Sequence, residues 1–285
     1  MVSPRQRRAA VAWAQDAYRL SQRRACRVFG VRRNVIRYVS QKPPEELLRH
    51  RLRQLATERV TFGARRLHAV LRREGSTVNH KKLRRLYVEE GLQLKPRRRR
   101  RRKAGTTREL RTVPTRPNER WAMDFMHDVL HGGTPIRIFT VVDVCTRECV
   151  ALHAARSFSG QDVADLLHAA GIARGGLPEI VQCDNGTEFT STALDHWAYW
   201  NKVRLDFSRP GKPVDNCVCE AFNGSLRREC LSVHWFADLP EAQRLLTAWQ
   251  EDYNKYRPHS SLGLESPVRY ASGGLYLPRA SKSRK

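Results

Sequence analysis

The positive charge of this 285-residue chain lies entirely in its first 117 residues, and that division constrains its folding more than any other feature. Residues 1–117 hold 34 Lys and Arg against 8 Asp and Glu, an excess of +26, whereas residues 118–285 hold 19 against 20. A stretch so strongly like-charged repels itself in any compact state unless a polyanion is present. The first part is therefore limited to small units that turn basic faces outward, and DNA or RNA is the commonest partner for such faces. A membrane surface fits less well, because the basic half is cut into short segments rather than forming one amphipathic helix. The second part is nearly neutral and free to build a larger core. Hydrophobic residues make up 40% of the chain, which puts that core within reach and excludes wholesale disorder.

Within residues 1–44 the pattern predicts helices over Pro4–Tyr18, Ser21–Phe29 and Arg32–Val39, with Ser21 as an N-cap and Ala25, Val28, Val35 and Ile36 facing inward. Two short helices joined by the Gly30-Val31 turn, the second carrying Arg32, Arg33, Asn34 and Arg37, suit a helix-turn-helix that reads a major groove. Pro43-Pro44 breaks the chain, and residues 45–95 predict a second such unit: one helix from Phe62-Gly63 to Arg73, another from Asn79 to Glu90, closed by Gly91. Leu67, Val70 and Leu71 can pack on Leu83, Leu86 and Tyr87, leaving Arg65, Arg66, Arg72, Arg73, Lys81, Lys82, Arg84 and Arg85 outside. Solvated faces usually mix signs, and this one hardly does. Residues 96–117 read as an Arg-rich linker, in which Arg97, Arg98, Arg99, Arg100, Arg101 and Arg102 cannot pack and would track phosphates.

From Glu119 the texture changes to strands. The expected order is strands at Arg120–Leu130, Ile136–Thr146 and Cys149–Arg156, a helix at Gln161–Ala173, a strand at Glu179–Cys183, a helix at Thr190–Asn201, and a strand at Val203–Phe207. Two long helices, Val214–Val233 and Leu239–Tyr256, complete residues 118–272, and a basic tail occupies 273–285. Three consecutive strands followed by alternating helix and strand describe an α/β fold: a mixed five-stranded sheet with flanking helices, preceded by small all-α helix-turn-helix units.

The longest apolar run, Ile138–Cys145, is broken by Thr140 and Asp143 and falls far short of the ~18 residues a spanning helix needs. No signal-peptide core follows the N-terminal arginines, so the expected location is intracellular, in the cytoplasm. Seven cysteines, without a C-x-x-C pair, fit reduced and mostly buried thiols better than a bridged framework or a zinc site.

Three acids stand where polar residues are hard to justify: Asp124 inside the first strand, Asp184 closing the fourth, and Glu220 on the first long C-terminal helix. At ~100° per residue, Asn216, Glu220, Asn223 and Arg227 fall within about 60° of one another, with Val218, Phe222 and Leu226 opposite. A helix laid on the sheet by its apolar face would aim Glu220 at carboxylates on the strand ends. Carboxylates so gathered repel one another unless cations hold them, and Mg²⁺ is the natural candidate. Taken singly, Asp124 also fits a strand-edge acid, Asp184 a turn former before Asn185-Gly186, and Glu220 an exposed helix residue. Asp128, Asp143 and Glu188 are expected outside the set, with Asp143 held by a structural partner such as Arg147; His259 reads as a turn residue.

Thirty-five residues separate Asp184 from Glu220, and Arg227 follows seven positions later. This spacing, with Trp121–Phe125, Asp184-Asn185-Gly186-Thr187-Glu188-Phe189, Glu220–Glu229, and Tyr253-Asn254-Lys255-Tyr256-Arg257-Pro258-His259, resembles the Asp-Asp-35-Glu recombinases. Phe62–Leu92 resembles the basic helix-turn-helix segment of the same group. Together these motifs resemble the second-reading-frame transposase of the bacterial insertion sequence three family over almost the whole chain; the retroviral N-terminal zinc motif is absent. The resemblance implies a ribonuclease H-like core that uses two Mg²⁺ or Mn²⁺ ions held by Asp124, Asp184 and Glu220 to cleave at element ends and join the freed 3′-hydroxyl to target DNA. It further implies Arg227 near a reacting phosphate with Asn216 and Asn223 in support. The implied partners are double-stranded DNA, further copies of the chain assembled on that DNA, and a helix-turn-helix protein encoded in an upstream frame, all within the bacterial nucleoid. A metal-dependent nuclease without strand transfer, and a DNA-binding regulator with a disused core, are the rival readings.

Overall fold

The computed structural model describes residues 4–38, 45–95, 114–208 and 216–273. The run Arg97–Arg102, the C-terminal tail from residue 274 and the segment 209–215 lie outside the described residues. The chain divides into two compact units, Met1–His50 and Arg51–Lys285.

In the first unit, α1 (Pro4–Tyr18), α2 (Gln22–Val28) and α3 (Arg33–Arg37) follow one another. Ser21 caps α2 by accepting from the Arg24 N–H at 3.3 Å. Val11 and Ala14 bury against Ala25 and Cys26, with Leu20, Phe29 and Ile36 packed at the margin. Val28, expected inward, is 67% exposed: α2 is seven residues long and its buried positions are Ala25 and Cys26, so its last residue projects beyond the contact.

The second unit takes up most of α4 (Glu46–Glu58), which the sequence analysis did not anticipate. Its signal was present as Leu48, Leu52 and Leu55, one turn apart. Leu52 and Leu55 are buried, as are Leu67 and Leu71 of α5 (Ala64–Arg73) and Leu83, Leu86 and Tyr87 of α6 (His80–Glu89). Asn79 caps α6 by accepting from the Lys81 N–H at 2.8 Å, and Gly91, at φ +68°, supplies the left-handed turn that ends it.

The sheet follows. β1 (Arg120–Val129), β2 (Pro135–Asp143) and β3 (Cys149–Ala155) form an antiparallel meander; α7 (Gly160–Arg174), β4 (Ile180–Cys183), α8 (Thr192–Trp200) and β5 (Arg204–Phe207) complete the order β3-β2-β1-β4-β5. β4 runs parallel to β1, and β5 to β4. Because successive side chains alternate across a strand, Trp121 and Met123 enter the core beneath α7 and α8. Met126 and Leu130 enter the opposite core, beneath α9 (Cys217–Leu226) and α10 (Leu239–Lys255). Asp124 shares the parity of Met126 and so points to the α9 side.

The single helix expected over Val214–Val233 is interrupted. α9 ends at Leu226, and Arg227–Leu231 forms one wider turn of π type. Such a turn widens the helix by one residue and re-aims the side chains after it. α11 (Pro267–Ser272), started by Pro267, follows a short 3₁₀ turn at Ser260–Leu262.

Candidate active site

β1 and β4 pair in register from Arg120↔Ile180 to Ala122↔Gln182. Continuing that register puts Asp124 opposite Asp184, one residue past the end of β4, where the two strands part. The same-face neighbours Arg120, Gln182 and Asp206 tie the three strands together: the buried Arg120 donates to Gln182 Oε1 at 3.3 Å and Asp206 Oδ2 at 2.8 Å. Glu220 stands on the first turn of α9, which packs on β1 and β2.

The electrostatics show the three acids in one neighbourhood. Burial raises the Asp124 carboxyl to about 6, and the charges of Asp184 and Glu220 push it the same way, against hydrogen bonds from Phe125 and Asn223. The buried Cys219 thiol, pushed up first by its burial, responds to the negative charge of the same Asp124, Glu220 and Asp184. The acids do not close into a cage: among the described residues, no three His, Cys, Asp or Glu side chains stand together closely enough to hold an ion as they are. Their oxygens turn instead to local donors. Asp124 Oδ1 accepts from the Phe125 N–H at 2.8 Å and Asp184 Oδ1 from the Gly186 N–H at 2.9 Å. Mutual repulsion favours that arrangement, and oxygen donors of this kind suit a hard divalent cation. With its thiol held protonated, Cys219 adds no soft ligand.

The amides anticipated on α9 are engaged with the strand. Asn223, buried, donates to Asp124 Oδ2 at 2.8 Å, and Asn216 donates to the Met123 carbonyl at 3.2 Å, just beyond the last paired position of β1 with β4. Sequence reasoning missed Thr140. Directly opposite Asp124 in the β1–β2 register, its buried hydroxyl lies 3.1 Å from both Asn223 Oδ1 and the Asp124 carbonyl. It holds the Asn223 amide with its NH₂ aimed at the carboxylate; the only sequence signal was a lone hydroxyl inside an apolar run.

Arg227 lies further along β1. Its guanidinium donates to the His127 carbonyl at 2.7 Å and stands 3.6 Å from Asp128 Oδ2. The structure thus brings Asn216, Asn223, Glu220 and Asp124 together and sets Arg227 beside Asp128. Glu188 is bound by Arg137. Asp143 takes Arg174 at 3.2 Å and the N–H groups of Asn118, Cys145 and Thr146, not Arg147. Arg147, at φ +63°, closes the β2–β3 turn by donating its own N–H to the Asp143 carbonyl at 2.9 Å.

On the first helical unit Arg32, Arg33, Asn34 and Arg37 are exposed, with Arg37 donating to Gln22 Oε1 at 3.0 Å. Arg65, Lys81, Lys82, Arg84 and Arg85 are exposed on α5 and α6. Arg66 and Arg73, expected outside, reach the sheet-bearing part of the unit: Arg66 pairs with Glu229 at 3.4 Å, and Arg73 donates to the Tyr256 and Leu264 carbonyls, each at 2.6 Å. Among the described residues no helix is long and apolar enough to cross a membrane. Of the seven cysteines, all unpaired, Cys217 alone is exposed.

Known protein families and relatives match most of this chain. Two Integrase core domain families match residues 114–213 and 201–267, and an HTH-like domain family matches residues 43–100. An uncharacterized protein of insertion element IS407 from Burkholderia multivorans is 44% identical over 90% of this chain and 93% of its own length. A protein of insertion element IS476 from Xanthomonas euvesicatoria is 39% identical over 95% of this chain and 78% of its own. The putative transposase InsK of IS150 from Escherichia coli is 26% identical over 78% of this chain and 81% of its own. A chain of the simian T-cell lymphotropic virus intasome shares the fold, with a TM-score of 0.51 at 16% identity over 82% of this chain and 76% of that one.

Proposed function

Because this chain belongs to the insertion-element transposases of the insertion sequence three family, with an integrase core and a helix-turn-helix domain, we propose that it cleaves DNA at the ends of its element and joins the freed 3′-hydroxyl to target DNA, using Asp124, Asp184 and Glu220 as catalytic metal ligands. The observation that carries this reading is the shared electrostatic neighbourhood of the three carboxylates, none of which has an ion-pair partner among the described residues. Mg²⁺ or Mn²⁺ fits that donor set; bound there as a pair, such ions lower the pKa of an attacking hydroxyl and take up charge on the leaving oxygen of an in-line phosphoryl transfer.

The remaining work belongs to the chain itself. Asp124, the least exposed of the three acids and sensitive to the charge of both others, would hold a cation from the strand side. Asn223, held by Thr140, fixes one Asp124 oxygen and with it the plane of the whole carboxylate, whose remaining lone pairs are left for a cation. Asn216 ties the first turn of α9 to β1, and with it the position of Glu220. Arg227, half-exposed beside Asp128, is within reach of a phosphate next to the reacting one. DNA is held by the basic faces of the helical domains, double-stranded element ends being the first substrate and further copies of the chain the expected partners on that DNA. The test is an assay with labelled duplex ending in the element's own terminus, with and without the upstream-frame protein, following both nicking and joining. Metal-dependent joining supports the proposal; nicking that never proceeds to joining contradicts it.

A further inference from the structure

Three arginines at seven-residue spacing, Arg59, Arg66 and Arg73, reach from the helical domain α4–α6 to the sheet-bearing part of the same unit. Seven residues are nearly two helical turns, so Arg66 and Arg73 share one face of α5. Arg59 grips Asp252 of α10 through two bonds of 2.6 Å. Arg66 pairs with Glu229 of the π turn at 3.4 Å. Arg73 donates to the Tyr256 and Leu264 carbonyls, each at 2.6 Å, and so closes the C-terminal end of α10, where a helix leaves carbonyls without partners. The buried Phe62 ring lies under the first two guanidinium groups, at 5.7 Å from that of Arg59 and 5.3 Å from that of Arg66, and helps to orient both. The two apolar clusters that flank the sheet include no residue of α4, α5 or α6. The described joint is thus polar and directional, made by planar guanidinium groups that meet fixed acceptors, and not an apolar contact that tolerates sliding.

We propose that Arg59, Arg66 and Arg73 are positioning residues that clasp the helical domain to the core, so that DNA held on the outward face of α5 and α6 meets the acids in a fixed register. The inference rests on the DNA-processing reading above and adds how binding and chemistry are coupled within one chain. Two observations favour a clasp over a further DNA-binding face. The three arginines are already met by carboxylates or carbonyls of the core, whereas Arg65, Lys81 and Arg84 of the same helices are exposed. The seats also lie where a displacement is felt: Glu229 stands on the turn that carries Arg227 and continues from α9 with Glu220, and α10 packs against β3 and that turn. A misplacement of about 1 Å can cost a reaction about a hundredfold, so a loosened clasp should cost joining far more than affinity.

The test uses full-length Arg59→Gln and Asp252→Asn with labelled duplex carrying the element's own end, titrated across a range of salt and then followed for nicking and joining in Mg²⁺. Both variants should behave alike: an unchanged log K against log salt slope, joining lowered about tenfold or more, and nicks spread beyond one position. Arg73→Gln should repeat the pattern. Unchanged joining and nick position in Arg59→Gln and Asp252→Asn would overturn the proposal. So would opposite behaviour, with tighter binding for Asp252→Asn and a slope shallower by ~0.9 for Arg59→Gln, since Arg59 would then serve a phosphate for which Asp252 competes. A second measurement bridges Arg59→Cys and Asp252→Cys with a short bis-maleimide in a Cys217→Ser chain, Cys217 being exposed. Closing the bridge should restore the joining that the open pair has lost; a bridged chain that binds duplex but joins less than the open pair would show that the domains must part, and would also overturn the proposal. A wild-type chain that neither nicks nor joins would sink the DNA-processing reading instead. The clasp is then still read by the bridge yield, which should exceed that between Arg65→Cys and Asp252→Cys.

Discussion

The two sides of α9 carry opposite charge. Towards β1 and β4, Glu220 joins Asp124 and Asp184 in a cluster of negative charge strong enough to help raise a buried carboxyl to about 6. Towards α5 and α10, Arg66 and Arg257 pair with Glu229, and Arg147 and Arg228 line the same cleft. The chain pairs charges readily elsewhere, as in Arg174 with Asp143 and Arg120 with Asp206. The two faces of α9 thus differ in kind: the acids have no ion-pair partner among the described residues, whereas Arg66 and Arg257 are tied to Glu229.

The strongest way to break the comparison is to neutralise the acid face. Asp124→Asn and Glu220→Gln keep side-chain shape but remove a negative ligand, so each should lower nicking and joining by about a thousandfold or more, the ~4 kcal/mol of a group that stabilises charge in the transition state. Asp128→Asn, on the same strand face but paired with Arg227, should retain activity. Equal losses at Asp124 and Asp128 would mean that the acid face is structural.

On the basic side, His259 offers a pH test. Burial, and then the charges of Arg257, Arg66, Arg147 and Arg73, lower its pKa to about 2. It packs edge-on to the Tyr253 ring, and Glu229 reaches it only through Arg257. The folded state therefore resists a proton that the unfolded chain accepts near 6.5. Its contribution to stability is complete above pH 6.5 and is lost progressively as pH falls, about 2 kcal/mol by about pH 5. His259→Gln should flatten the acid limb of the stability curve by about one proton; an unchanged limb in chemical denaturation would contradict the buried neutral imidazole.

A smaller effect separates the acid face from its neighbour Arg227. Arg227→Ala should reduce joining about tenfold, the scale of one charged hydrogen bond, while changing DNA affinity about twofold, because one phosphate contact among many is lost. Unchanged joining with a lowered melting temperature would assign Arg227 to its Asp128 and His127 contacts alone.

Much of this organisation is legible in the sequence because it is carried by local periodicity. The alternation in β1 and β2, the helical spacing in α5 and α6, and the Asp184 to Glu220 interval each declare themselves within a short window. What escapes depends on contacts between distant segments. Arg66 and Arg73 read as solvated charge because nothing near them in sequence reveals Glu229 or the carbonyls of Tyr256 and Leu264. The π turn after Leu226 has no residue signature comparable to a proline or glycine. Thr140 was visible only as an interruption in an apolar run, and its role follows from a register with Asp124 that pairing alone defines.

The most direct measurement of the central claim is Asp184→Asn in the nicking and joining assay, run with Mg²⁺ or Mn²⁺ on DNA carrying the element's own end and with the upstream-frame protein supplied. Asp184 sits exposed just past a strand end and accepts from the Gly186 N–H through Oδ1, a bond that the amide oxygen of Asn can keep, so the substitution should leave the fold nearly untouched. The account predicts unchanged duplex binding and melting temperature, with nicking and joining both abolished. Joining that survives the substitution at wild-type rate would contradict it.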